Sequence, residues 1–413
     1  MVSIYISADR VFDGTEILTD AGVVIENGRI CQVGVVENLD VPDKVPTVEA
    51  SGKTLLPGLV DAHVHLTYTE TTLRDRLEFT NPRNSAEYNA IEATGIAEAH
   101  IEKGITSLRD IGSRGGLAVA IRDTIEDDLV TGPRVRASGP ILTATGGLAD
   151  LYPDWIDAAT PLVRKISGPG DAIEAVREQA KAGVDNVKIE ASGEWINPYS
   201  DSQTPTASEA ELTAAVDAAH SRGLTAAAHA KARGAIETAL NAGIDTIEHG
   251  TFVDGELIDR MREDEVPLVT TITCYENVLE NGLEAYPPER VEVLREEIDR
   301  HYDAIRRAHE AGVPVAVGTD TGPPFSSHGH GAAADEIVHL VESCGFVPIE
   351  ALQAATRTAA MAAGFDDVGV IEPGARGDVI VVNGDPSQDP SVLQHHDQIT
   401  HVVKGGELLK GTA

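Results

Sequence analysis

Two histidines at i, i+2, His63 and His65, stand in the stretch Leu55–Leu66, LLPGLVDAHVHL. Pro57 and Gly58 break the preceding chain, and the short apolar run after them reads as a strand. Alternate side chains of a strand point to opposite faces, so Asp61, His63 and His65 share one side while Val60, Ala62, Val64 and Leu66 take the other. Two imidazoles converging in this way have the spacing of metal ligands; a hydrogen-bonded histidine pair is the alternative. Further residues of ligand type end other apolar runs: Lys188 in DNVKIEASG, His229 in TAAAHA, Glu248 and His249 in DTIEHG, and Asp320 in VAVGTDTG. The joint pattern favours a metal site over scattered polar strand ends.

The elements that must position these residues follow from a recurring phrase: a helix-like run, a Gly, then a β-branched strand. It appears in HIEKGITSLRD, AKAGVDNVKIE, HSRGLTAAAHA, LNAGIDTIEHG and HEAGVPVAVGTD. The Gly suits the left-handed position that closes a helix. Repetition of this unit predicts a parallel sheet and, with eight strand candidates, a closed (β/α)8 TIM barrel. The candidates are 59–66, 105–110, 134–139, 184–190, 224–229, 244–249, 266–272 and 313–320. In such a barrel the active site lies at the C-terminal strand ends, where the ligand-type residues fall. Residues 1–57 and 365–413 read instead as short strands and turns, Asp13-Gly14 and Asn27-Gly28 being hairpin punctuators. They predict a small discontinuous β-sandwich domain built from both termini, flanking a barrel over 58–364.

Composition narrows the setting. The chain has 413 residues and a formal charge of −35, from 67 acidic against 32 basic residues. A surface of that sign repels nucleic acid and anionic membrane. No basic and apolar leader opens the chain, and no apolar run reaches membrane-spanning length. The three cysteines, Cys31, Cys274 and Cys344, form no CxxC, which argues for a reducing, cytoplasmic compartment.

With those positions assembled, the chain resembles the amidohydrolase superfamily over almost its whole length. Its phrases PGLVDAHVHL, KGITSLRDIG, VKIEASG, AAHA, AGIDTIEHGT and Gly318-Thr319-Asp320 are most similar to the branch of prolidase-like zinc dipeptidases and carboxypeptidases and of ochratoxinase-like amide hydrolases. The acidic composition resembles that of halophilic archaeal proteins. The resemblance implies two divalent metal ions, zinc by type. His63, His65 and Asp320 would hold one, His229 and His249 the other, and Lys188 would bridge them as a carboxylate formed with CO2. It further implies hydrolysis of an amide bond in a peptide-like or N-acyl amino acid substrate by a metal-bridging hydroxide, with Asp320 as base and then acid. A lactone, cyclic imide or carbamate is the alternative substrate, and a metal-free scaffold protein a third reading. Lys188 counts against a mononuclear deaminase or imidazolone hydrolase.

Two departures bear on the substrate. Relatives often carry Thr-Gly-Gly-His after the third strand, where this chain has Thr145-Gly146-Gly147-Leu148. Two residues beyond the fifth-strand histidine, relatives often place Tyr or His, and this chain has Lys231. Lys231 would grip a substrate carboxylate or be an ordinary solvated lysine; Tyr199, Arg233 and Trp195 are further substrate-binding candidates. His328 and His330, on a Gly-rich loop, suit a lid or supporting role. His100, His220, His301 and His309 sit on helical runs and carry no expected function. The expected partner is a small molecule or short peptide, with no nucleic acid and no membrane, and the resemblance implies a homo-oligomer.

Overall fold

Residues 3–68, 85–150, 162–196, 200–282, 288–322 and 329–413 are described by the computed structural model. The chain opens with β1 (Ser3–Phe12), β2 (Ile17–Glu26), β3 (Arg29–Val35) and β4 (Thr47–Pro57). Alternation places Ile4, Ile6 and Ala8 of β1 on one buried face with Val23 and Ile25 of β2. Asn27 and Gly28, both at positive φ, make the β2–β3 turn that the Asn-Gly pair predicts.

The parallel strands follow: β5 (Leu59–Val64), β6 (Ile105–Asp110), β7 (Arg134–Arg136), β8 (Ile141–Ala144), β9 (Val163–Ile166), β10 (Asn186–Glu190), β11 (Thr225–Ala230), β12 (Thr246–His249), β13 (Leu268–Val269) and β14 (Val315–Ala316). Pairing runs β5-β6-β7 and β14-β13-β12-β11-β10-β8-β9. Asp185 and Asn186 donate backbone N–H to Ala137 O, which joins the two arcs. Ala62 N–H to Val317 O and Asp320 N–H to His63 O close the ring between β5 and the segment after β14. This is a TIM barrel.

The third barrel strand departs from the single run expected over 134–139. It is split into β7 and β8 around Gly139-Pro140, because Pro cannot donate to a ladder. β9, which pairs parallel to β8, lies outside the eight strand candidates of the sequence.

Helices 169–182, 209–220 and 233–241 wrap the strands. Gly183 closes the first of them at φ +89°, in the left-handed conformation its repeat position predicts. Val187 and Ile189 of β10 and Ala226, Ala228 and Ala230 of β11 face these helices in the main core. The opposite parity, Lys188 and His229, points into the barrel. Strands β15 (Val379–Val382), β16 (Ile399–Lys404) and β17 (Glu407–Lys410) return to the first four in one sheet ordered β17-β16-β15-β4-β1-β2-β3. A β-rich domain is thus drawn from both termini. β4 passes directly into β5 through Pro57-Gly58, so this sheet holds the root of the strand that bears His63. Among the described residues no helix is long and apolar enough to cross a membrane.

Candidate metal centre

His63, at the end of β5, is buried with 1% exposure. Its Nδ1 lies 2.7 Å from Glu248 Oε2. Glu248 in turn accepts from Arg109 Nη2 at 2.8 Å and from Thr246 Oγ1 at 2.5 Å. Burial opposes the charge on Glu248, but Arg109 and His63 outweigh it and keep its carboxyl below the usual range. A carboxylate at Nδ1 places the ring proton there and leaves Nε2 as a lone pair. Arg109 reaches across the barrel, donating from Nε to Ala62 O and from Nη1 to Thr246 Oγ1. Neither its function nor the pairing of Glu248 with His63 is visible in the sequence.

The other imidazoles are oriented in the same way. His65 Nδ1 is 3.0 Å from Gly112 O, and its Nε2 is 3.1 Å from Asp320 Oδ1. His229 Nε2 faces Gly193 O at 3.2 Å, which leaves Nδ1 for the centre. His249 Nδ1 meets Thr271 Oγ1 at 2.7 Å. Burial lowers the pKa of His63 to about 4 and those of His229 and His249 well below the usual value. Neutral imidazoles are the form that binds metal.

Three non-glycine residues here have left-handed backbone: His249 (φ +71°), Thr271 (φ +116°) and Asp320 (φ +51°). Regular alternation would turn His249 away from Glu248; the positive φ ends the strand and brings its ring to 5.2 Å from that of His63 and 4.5 Å from that of His229. Such conformations cost energy and persist where the surroundings over-determine them. Glu336 supplies part of that support, accepting the backbone N–H groups of Thr271, Ile272 and Thr273.

One ligand atom each from His63, His249 and Asp320 lies within 4.8 Å of the others. Lys188, 3% exposed, points into the same space, with Nζ 3.4 Å from His63 Nε2. Burial lowers its pKa. Asp320, half-buried, is held below the ordinary carboxyl range by His63 and His65. Imidazole lone pairs with a carboxylate form a donor set suited to zinc-like divalent ions. Asp61 turns away from such a role: it accepts from Thr319 N, Thr319 Oγ1 and His63 N, lacing β5 to the segment after β14.

The substrate-binding candidates divide. Lys231 is fully buried, and its Nζ lies 2.5 Å from both Glu194 and Glu297 and 3.4 Å from Ser202 Oγ. An ammonium has three protons, so this lysine has none left for a substrate carboxylate, and it is no solvated helix-start lysine either. Arg233 is corrected as a pocket residue: its guanidinium spreads over Asp254, Glu237 and Glu256 on the outer helices. Trp195 is 4% exposed beside Glu194. Tyr199 and His328 lie outside the described residues. His330 Nε2 is bonded to Tyr68 O, and Tyr68 stacks on His65 at 4.5 Å, so His330 bears on the centre indirectly. The Thr145–Leu148 loop is tied to β10, where Ala149 N–H donates to Glu190.

The amidohydrolase family profile matches residues 54–409. Ochratoxinase of Aspergillus niger is 30% identical over 420 aligned residues, covering 96% of this chain and 84% of that protein. Among solved structures, an Xaa-Pro dipeptidase with methionine bound in its active site superposes with a TM-score of 0.88 at 31% identity, covering 99% of this chain and all of that one. A prolidase complexed with N-methylphosphonate-L-proline gives 0.87 at 29% identity, with 99% and 100% covered.

Proposed function

We propose that this chain, which belongs to the amidohydrolase family and is a hydrolase acting on C–N bonds, cleaves the amide bond of a peptide-like substrate at a two-metal centre. The observation that carries this reading is the convergence of His63 and His65 from the end of β5, His229 from β11, His249 from β12 and Asp320 from the segment after β14 around Lys188. The relatives named dipeptidase and prolidase support the substrate class, and the proline analogue bound to one of them points to Xaa-Pro peptides.

His63, His65 and Asp320 would hold one ion and His229 and His249 the other. Two divalent ions there would supply Lewis-acid polarisation of the scissile carbonyl and a water acidic enough to ionise at neutral pH. Lys188 would join the set as a carbamate: its uncharged amine adds to CO2 and loses a proton, turning a cation into a bidentate anion. The burial that lowers its pKa favours the amine this needs. Glu248, Gly112 O, Gly193 O and Thr271 each fix one ring nitrogen, so the facing nitrogen is aimed before any ligand arrives. Asp320, ionised at the mouth, accepts a proton on its carboxylate and delivers it to the departing nitrogen, base first and acid second.

The test is hydrolysis of Xaa-Pro dipeptides in molar salt, with zinc and bicarbonate restored after chelation, beside lactones and carbamates. Faster turnover of the dipeptides supports the reading. Turnover of lactones alone replaces it.

A further inference from the structure

We infer, building on the amide-hydrolase reading above, that Glu194, Glu297 and His301, gathered around Lys231, form a subsite for a protonated amino group of the substrate. Three features of the wall behind His229 and His249 carry this.

The charge comes first. Two buried carboxylates surround one buried ammonium, so the wall carries a formal surplus of one negative charge. A substrate carboxylate placed there would be repelled, and a cation attracted, in a medium that screens poorly.

The second feature is the set of unused acceptors. Glu194 Oε1 takes Lys231, Ser202 Oγ and the Trp195 N–H. Its Oε2 makes no hydrogen bond among the described residues and approaches His229 Nε2 at 3.8 Å. Glu297 meets Lys231 through Oε2 alone among the described residues. One helical turn on, His301 is 1% exposed, and its Nε2 has no hydrogen-bond partner among the described residues. In the tautomer that gives Nδ1–H to Thr251 Oγ1, that nitrogen too is an acceptor. An ammonium supplies donors to the acceptor atoms of this wall that have none among the described residues.

Continuity with the centre is the third. The Tyr275 ring stands 6.4 Å from that of His249 and 5.2 Å from that of His301, and Lys231 Nζ lies 4.8 Å from its centroid. Tyr275 thus links the imidazole cluster to the subsite, and its π face suits a cation.

The ammonium could be the α-amino group of a dipeptide or a basic side chain, and three substrates separate these sources: Ala-Pro, N-acetyl-Ala-Pro and N-acetyl-Lys-Pro. At least one ammonium-bearing peptide should show a KM about tenfold below that of N-acetyl-Ala-Pro, the size of one charge-assisted hydrogen bond. The KM ratio should fall below about threefold in Glu297→Gln and in Glu194→Gln, whichever variant folds. An equal or lower KM for N-acetyl-Ala-Pro, or a ratio unchanged in both variants, overturns the subsite. If the wild type cleaves none of the three, amide hydrolysis is the reading that fails. The subsite is then decided by tryptophan fluorescence with alaninamide and N-acetylalaninamide. Tighter binding of the free amine upholds it, and equal binding overturns it.

Discussion

Lys231→Met removes the one cation from a wall that keeps both its carboxylates. Glu194 and Glu297 each approach Nζ at 2.5 Å, so the two facing oxygens are no more than about 5 Å apart. At an effective dielectric constant of about 20, two like charges at that distance repel by about 3 kcal/mol. Burial adds to the cost, and removing one partner of a buried ion pair typically destabilises by about 3–5 kcal/mol. At about 2.1 cal/mol/K per residue, the 413-residue chain should lose roughly 3–6 °C in Tm. Denaturant unfolding in molar salt, followed by tryptophan fluorescence, measures the free energy. Adding Glu194→Gln and Glu297→Gln to Lys231→Met should recover more than half of the loss, because no unpaired charge then remains. A cost below about 1 kcal/mol, or a triple variant no more stable than the single one, would refute this reasoning. Unchanged stability with a raised KM confined to carboxylate-bearing substrates would return Lys231 to the role of an anchor.

Further outcomes follow from other contacts. Glu248→Ala frees the His63 ring and should weaken zinc binding about 10–100-fold in a competition titration with a chelator, whereas unchanged affinity removes Glu248 from the support of the centre. His100 is buried, with its pKa lowered to about 3 by burial and then by the nearby charge of His330. It stays neutral in the fold while the unfolded chain binds a proton near 6.5, so its contribution is complete above 6.5 and is lost as pH falls from there toward 3. His100→Gln should therefore flatten the slope of stability between pH 6 and 4 by about 1 kcal/mol per unit, and an unaltered slope would contradict it. The surplus of acids predicts that Tm rises with KCl from the millimolar to the molar range, a salt-independent Tm being the contrary result.

The barrel was legible because its αβ phrase repeats. The strands fall where the apolar runs stand, and His229 and Lys188 were visible as ligand-type residues ending two of them. Groups joined across long separations were not legible. Arg109 meets Glu248 139 residues away, and Lys231 meets Glu297 66 residues away, so no local spacing records either pair. The helix Pro288–Ala311 shows the same limit. Val291, Leu294, Ile298, Tyr302 and Ile305 recur at three- or four-residue steps along it, and Leu294, Ile298 and Ile305 are buried, but so are Glu297 and His301 among them. A polar residue on an apolar face looks like noise until its partner from another strand end is in view. The backbone of His249 and Asp320 was equally hidden, since nothing in either residue type announces a left-handed φ.

Anomalous diffraction at the zinc edge, from crystals grown with zinc and bicarbonate, addresses the two-metal centre without intermediaries. The expected map holds two peaks, one against His63, His65 and Asp320 and one against His229 and His249, with branched density extending from Lys188 Nζ to both. A single peak, or an unmodified Lys188 turned away from the histidines, would contradict it.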